Sequence, residues 1–119
     1  MVADHTPGAD LDDDDVDQLF RALADATRRD IVRRTLTDES SISALAGRYA
    51  MSFAAVRKHV NVLAAAGLVT HHRHGRERRI RGNPEAVRRA QNLLDGYESI
   101  WRGRVDRLEK LLHDTRPDD

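Results

Sequence analysis

The feature that most constrains the fold is a regular apolar repeat in the last third of the chain. It follows Asn83-Pro84-Glu85, where a capping side chain, a proline and an acid in consecutive positions predict a helix start. From there an apolar residue recurs every three or four positions, which predicts one long helix with a continuous apolar seam. The seam consists of Ala90, Leu94, Tyr97, Trp101, Val105, Leu108 and Leu112.

The length of this helix determines what must cover the seam. A helix from Pro84 to Leu112 spans roughly 43 Å at about 1.5 Å per residue, more than a small domain covers with its own core. A second copy of the chain is the expected partner, because two-fold pairing lets one stripe bury its equivalent. The alternative is a helix that folds back on the first two helices of its own chain. The residues predicted at the dimer interface are Leu19, Leu94, Tyr97, Trp101, Val105, Leu108 and Leu112.

Four shorter helices are predicted before the long one, from apolar spacing and capping residues. Gly67 lies where the end of the fourth helix needs a left-handed residue. The first helix starts near Asp15 and turns Val16, Leu19, Phe20 and Leu23 inward; the second is capped by Asp25 and ends within residues 37–40; the third, a short one, is capped by Ser40 or Ser41; the fourth is capped by Ser52.

Two short segments, Leu68 to Arg73 and Glu77 to Arg81, flank a Gly-containing turn and predict a β-hairpin with a basic tip. Helices, a tight turn, a capped helix, a hairpin and a long helix in this order predict a winged helix-turn-helix. The fold class is therefore mainly α (α+β), with a two-stranded β wing and a long C-terminal dimerisation helix. We expect one such domain over residues 16–114, with a disordered acidic tail over 1–15 and a disordered tail over 115–119.

The formal net charge of zero conceals a strong asymmetry along the chain. Residues 1–20 carry seven aspartates and no Lys or Arg, so the remaining residues have 20 basic against 13 acidic side chains. The stretch from Arg48 to Arg81 holds eight basic residues and a single acid, Glu77. Such a patch is typical of surfaces that neutralise phosphates, although a solvated charged face has the same composition.

Three segments together resemble the ArsR/SmtB family of transcriptional repressors: LADATRRDIV, ISALAGRYAMSFAAVRKHVNVLAAAGLV and HHRHGRERRI. The resemblance runs from Val16 to about Leu112 and is strongest to the metal-independent branch of the family. It implies a sequence-specific DNA-binding regulator that binds a pseudo-palindromic operator as a homodimer and represses by occupying a promoter. Double-stranded DNA and a second copy of the chain are the implied partners.

The resemblance also implies which residues face DNA. Arg57 is the main candidate for a base contact, although the family often has a small polar residue at this position. Ser52 is a cap that can also touch a phosphate, and His59 has two interpretations, a DNA contact or internal packing. The implied DNA-facing residues of the fourth helix are Ser52, Phe53, Ala54, Arg57, Lys58 and His59, and those of the wing are Arg73, Arg76, Arg78 and Arg79, which strand alternation prevents from all pointing one way.

No metal, cofactor or catalytic site is predicted. The chain has no cysteine, and Ser41 and Ser43 stand where the resemblance places two cysteine ligands; serine cannot supply thiolate chemistry. His71, His72 and His74 could bind zinc or nickel adventitiously near the wing. The sequence shows no paired carboxylates in an apolar setting, no Ser-His-Asp arrangement and no glycine-rich phosphate loop, so an enzyme is not expected.

The remaining expectations concern location and an alternative function. No apolar run approaches the length needed to span a membrane, and the N-terminus lacks a basic region followed by an apolar stretch, which predicts a cytoplasmic protein without a membrane partner. The alternative function is a protein-interaction module that uses the seam of the long helix. The sequence does not identify an inducer or an operator.

Overall fold

The computed structural model describes residues 12–114, which form five α-helices and a three-stranded antiparallel sheet. The helices and the hairpin follow the predicted order, so the winged helix-turn-helix is confirmed. The elements are α1 (Asp13–Ala22), α2 (Ala26–Thr37), β1 (Ser40–Ser41), α3 (Ile42–Tyr49), α4 (Phe53–Ala65), β2 (Val69–His74), β3 (Glu77–Gly82) and α5 (Pro84–Asp114).

Helix α1 begins earlier than the predicted start near Asp15. Asp12 is its cap and accepts a hydrogen bond from the backbone N–H of Asp15 at 2.8 Å. The acidic side chains of residues 13–15 lie in the first turn, where the positive end of the helix dipole favours them. Residues 12–15 of the predicted acidic tail therefore belong to α1 and its cap. The rest of that tail and the predicted tail 115–119 lie outside the described residues.

The capping side chains fix the starts of α2, α3 and α4 as predicted. Asp25, Ser41 and Ser52 each accept a hydrogen bond from the backbone N–H three residues further on, at 3.0, 3.1 and 3.1 Å. Each bond satisfies one of the N–H groups that a helix start leaves without a partner inside the helix. Three element boundaries are thus decided by local chemistry.

The end of α4 is also local in origin. Gly67 has φ +78°, and its N–H donates to the carbonyl of Ala64 at 3.0 Å. The N–H of Leu68 donates to the carbonyl of Leu63 at 2.9 Å, which completes the paired bonds of a Schellman motif. Asn83 then donates from its side-chain amide to the Gly67 carbonyl at 2.8 Å. The start of α5 is therefore tied to the end of the helix that precedes the wing.

The sheet has one strand more than the predicted two-stranded wing. Its order is β1-β3-β2, with Ser40 opposite Ile80 and Ser41 opposite Arg79. A two-residue strand of serines has no alternation that a sequence pattern can detect, and its partner lies about 40 residues away. The added strand anchors the base of the hairpin to the start of α3.

Leu19 lies in the core of its own domain, with 2% of its surface exposed. The prediction that it belongs to the dimer interface is therefore wrong; α1 packs against α4 and buries Leu19 there. Across residues 12–114, no helix is both long and apolar enough to cross a bilayer. The buried apolar residues are Leu19, Ala22, Ile31, Val32, Leu45, Val56, Val60, Leu63, Leu68, Val69, Ile80 and Ala86.

Candidate nucleic-acid interface

Helix α4 has one buried face and one exposed face. Val56, Val60 and Leu63 are fully buried and recur at three- and four-residue spacing. Arg57 and Lys58 are both exposed, since the buried stripe fixes the rotation of the helix about its axis. The polar side of α4 is thereby held outward by the core behind it.

The N-terminal turn of α4 is open to solvent. Ser52, Phe53 and Ala54 are all exposed, and half of the Phe53 surface is accessible. The turn that precedes it passes through Ala50, whose left-handed φ of +53° ends α3 and redirects the chain into α4. The predicted residues 52–54 are therefore presented at the end of a helix that follows a tight connection, as helix-turn-helix geometry requires.

A shallow groove of about 320 Å³ joins this turn to the hairpin. Arg57 reaches it from α4 and Arg78 from β3, so two predicted DNA contacts from separate elements meet there. We call it the α4–wing groove; its lining consists of Ser41, Ile42, Ser43, Phe53, Arg57, Glu77 and Arg78.

The register of the hairpin separates the four wing arginines. Arg73 lies opposite Arg78, so these two share one face, whereas Arg79 lies opposite His72 on the other. Arg76 follows Gly75 in the two-residue turn, where Gly75 has φ +67°. As predicted from strand alternation, the arginines do not all point one way.

Arg79 is engaged by carboxylates of the protein itself. Its guanidinium lies 3.1 Å from Glu77 and 3.7 Å from Glu39. Arg81 also binds Glu39, and its hydrogen bond is the main cause that holds the pKa of the Glu39 carboxyl below its usual value. The structure thus places Arg79 in an ion-pair network rather than beside Arg78, which does not favour the predicted DNA contact of Arg79.

The other basic residues that are predicted to contact DNA differ from Arg79 in this respect. Within residues 12–114, no carboxylate lies within salt-bridge distance of Arg57, Lys58, Arg73, Arg76 or Arg78. All five are exposed. Their charges are therefore available to a polyanion without first breaking an internal ion pair.

His59 occupies an internal position on α4. Its side chain is about one-fifth exposed, and Nδ1 lies 3.4 Å from an Arg28 guanidinium nitrogen and 4.0 Å from Asp25 Oδ2. Asp25 caps α2, and the backbone N–H of Arg28, followed by the charges of His59 and Arg28, holds its pKa below the usual value against the opposing effect of burial. Of the two interpretations of His59, the structure supports internal packing.

The three histidines of the wing, His71, His72 and His74, all lie on strand β2. Across the part of the chain that the structure describes, no three His, Cys, Asp or Glu side chains are grouped closely enough to hold an ion. His72 Nε2 lies 2.8 Å from the Thr70 hydroxyl. Burial, and then the charge of Arg78, lower the pKa of His71.

The seam of α5 is exposed along most of its length. Tyr97 and Trp101 are 61% and 59% exposed, and Val105 is half-buried. The sequence prediction missed Ile100, which is 71% exposed and lies about 100° around the helix from Trp101. The sequence does contain a signal for Ile100, because another apolar residue, Leu93, precedes it by seven residues, the spacing of a heptad repeat. The other exposed large apolar residues of α5 are Val87, Leu94, Leu108, Leu111 and Leu112.

Comparison with known proteins gives related regulators. No family model matches the sequence. The HTH-type transcriptional regulator YuzN of Bacillus subtilis (strain 168) is 39% identical over 88 residues, which cover 68% of this chain and 92% of the relative.

Two solved structures extend this result. The structure is similar to an ArsR-like transcriptional regulator from Rhodococcus sp. RHA1, with 31% identity, a TM-score of 0.74, and coverage of 82% of this chain and 92% of the other. It also shares its fold with the homodimeric winged helix-turn-helix DNA-binding domain of Mb0332 from Mycobacterium bovis, at 24% identity and a TM-score of 0.60, covering 71% and 81% of the two chains.

The identity to YuzN and to the Rhodococcus regulator agrees with an exposed recognition helix and a basic wing built on a winged helix-turn-helix core. The chain belongs to the ArsR-like family of winged helix-turn-helix, DNA-binding transcriptional regulators and not to a family of enzymes.

Proposed function

We propose that the protein is a cytoplasmic repressor that binds a pseudo-palindromic operator as a homodimer, with α4 in the major groove and the wing along the neighbouring backbone. The observation that supports this most directly is the α4–wing groove, which Arg57 and Arg78 enter from separate elements. A single duplex that follows this groove meets the recognition helix and the hairpin at once.

The two arginines differ in the contact they are suited to make. Arg57 projects from the second turn of a helix that enters the major groove, where its planar guanidinium matches the paired acceptors of guanine. Arg78 lies on a strand of the wing, beside Arg73, and is suited to phosphate oxygens. The N-terminal N–H groups of α4, near Ser52, supply a further anion site.

The homodimer is supported by the exposed seam of α5. This helix has 31 residues, and only Ala86 is buried. Pairing the exposed aromatic residues of one copy with those of another removes them from water and places two recognition helices on one duplex. Half-sites one helical turn apart, about 34–36 Å, are the spacing that two-fold regulators of this geometry read.

A genomic DNA-binding selection with the full-length protein tests the proposal. We expect an enriched pseudo-palindrome that is bound with a dissociation constant of about 10⁻⁸ M or tighter, and an affinity that falls steeply as salt increases. A reporter placed behind this sequence should be less active when the protein is present. A selection that enriches no sequence contradicts the proposal, and a reporter that is activated contradicts repression.

Substitutions on the two faces of the wing make this test specific. Arg78→Ala should weaken binding to all duplexes and reduce the slope of log affinity against log salt by about 1 for each half-site. Arg79→Ala is the matched control, because this neighbour is held by Glu39 and Glu77 and should change the slope less. Arg57→Ala should instead relax sequence preference; equal effects of all three variants contradict the assigned roles.

A further inference from the structure

The first helical residue of α4 has an unusual environment for an aromatic side chain. Phe53 is half exposed, although apolar residues at nearby positions of the same helix are fully buried. It lines the α4–wing groove together with Ile42 of α3 and with Arg57. About half of the Phe53 surface is therefore covered by the protein, and the other half is open to solvent at the groove.

A phenyl ring has neither a hydrogen-bond donor nor an acceptor, so it cannot pair with the polar groups of a base edge by conventional hydrogen bonds and is better matched to an apolar group. The edges of base pairs in the major groove display donors and acceptors and, for thymine, a methyl group at C5. A phenyl ring at the N-terminal turn of a recognition helix is thus best matched to thymine, the one base whose major-groove edge presents a methyl group.

We propose that Phe53 is a specificity-determining residue that contacts the C5-methyl group of a thymine in each half-site. This inference rests on the proposed function, in which α4 lies in the major groove. Contact with the methyl group removes apolar surface of both partners from water, which is favourable for the exposed half of the ring.

The spacing on the helix predicts where this thymine lies. Phe53 and Arg57 are four residues apart, so their Cβ atoms are about 5–6 Å from each other on the same side of α4. Successive bases are separated by about 3.4 Å along a strand. The thymine is therefore expected one or two base pairs from the base that Arg57 contacts.

Replacement of single thymines by deoxyuridine tests the proposal, because it deletes only the methyl group. The duplex is the operator enriched by the full-length protein. One thymine position in each half-site should be sensitive. Replacing it in one half-site should weaken wild-type binding about four-fold, and replacing it in both should weaken binding about fifteen-fold. These values correspond to the loss of one buried methyl group per site. Arg57→Ala should keep this deoxyuridine sensitivity.

The variant Phe53→Ala should bind the thymine and deoxyuridine operators with nearly equal affinity, while Phe53→Leu retains part of the difference. Val62→Ala is the matched control: it is another exposed apolar residue of α4, nine positions further on and on the opposite side of the helix, and should keep the full difference.

Two results would overturn the inference. One is a wild-type protein that binds every deoxyuridine-substituted operator as tightly as the thymine duplex. The other is a Phe53→Ala variant that keeps the wild-type deoxyuridine effect. Failure to enrich any operator contradicts the proposed function and this inference with it, whereas an operator whose thymine methyl groups are all dispensable contradicts only the role of Phe53.

Discussion

The winged body, residues 13–82, and helix α5 are built on different principles. Every buried apolar side chain among the described residues lies in the body, except Ala86. Helix α5 instead exposes Tyr97, Ile100 and Trp101 on one broad side. The difference shows that the body is stabilised by its own core, whereas α5 depends on whatever covers it.

Local interactions within α5 are too weak to change this conclusion. Its ion pairs, such as Arg102 with Glu98 at 3.0 Å, lie on the exposed surface. Pairs of this kind stabilise a helix by about 0.2–0.5 kcal/mol each. In the proposed homodimer, burial of several large apolar side chains against a second copy would contribute far more, at roughly 1.5–3 kcal/mol for each fully buried side chain.

The largest effect is expected in the core of the body. Leu63→Ala removes a fully buried side chain of α4 and should lower the free energy of unfolding by about 2–5 kcal/mol. Urea unfolding at fixed protein concentration measures this. The folded fraction should keep the wild-type dimer dissociation constant; weakened dimerisation would show that the body and α5 are not separate in this way.

A substitution on α5 should instead affect dimerisation. Trp101→Ala should raise the dimer dissociation constant about 30-fold or more, equivalent to about 2 kcal/mol, because large aromatic residues dominate interface energies. Sedimentation equilibrium measures the change. Arg102→Ala is the matched control, since Arg102 is highly exposed and pairs within its own helix. If both variants dimerise like the wild type, this side of α5 is not the interface.

Acid should destabilise the body through Asp30. Hydrogen bonds from Tyr49 at 2.6 Å, then Arg34 at 2.6 Å and Arg33, hold the Asp30 pKa far below 3.8, and burial, followed by Asp30, raises the pKa of Tyr49 to about 12. A lowered folded-state pKa means that this stabilisation is present above about pH 4 and is lost as pH falls towards the folded value.

The variant Asp30→Asn should therefore be less stable than the wild type at pH 7 by about 1–3 kcal/mol, as for loss of charged hydrogen bonds. The difference should shrink as the pH falls below 4. Thermal unfolding at a series of pH values measures it, with the exposed Asp17→Asn as control. A difference that stays constant from pH 7 to pH 2 contradicts the role of the Asp30 carboxylate.

The smallest effect concerns the turn between α3 and α4. Ala50 has φ +53°, a conformation that costs residues with a Cβ about 1 kcal/mol or slightly more. Ala50→Gly should stabilise the body by about 1 kcal/mol, whereas Ala54→Gly, within α4, should destabilise it by about 0.5–1 kcal/mol. Opposite signs in chemical unfolding would confirm the strain at Ala50, and a loss of stability in both would contradict it.

Prediction from the sequence succeeded where the cause is local. Asp25, Ser52 and Gly67 act on backbone groups a few residues away, so a short stretch of sequence contains both partners. The exposure of Arg57 and Lys58 followed in the same way, because the buried stripe of Val56 and Val60 determines which residues of α4 point outward. The roles of those residues on DNA stay predictions.

The sequence did not predict contacts between residues that are distant along the chain. Arg79 differs from Arg78 because Glu39, 40 residues earlier, pairs with it. His59 meets Arg28 across 31 residues, and strand β1 pairs across a similar distance with Ile80. No periodic pattern records such contacts, since they arise when the elements pack.

By itself, then, the sequence determined the helices, their caps, the hairpin and the exposed side of α4, because hydrogen bonds and apolar periodicity within a few turns are sufficient for each. Only the tertiary structure decided that Leu19 lies in the core, that Arg79 is ion-paired and that Phe53 opens onto the α4–wing groove. Burial and pairing of these side chains depend on which elements lie against them, and that is a property of the packed fold.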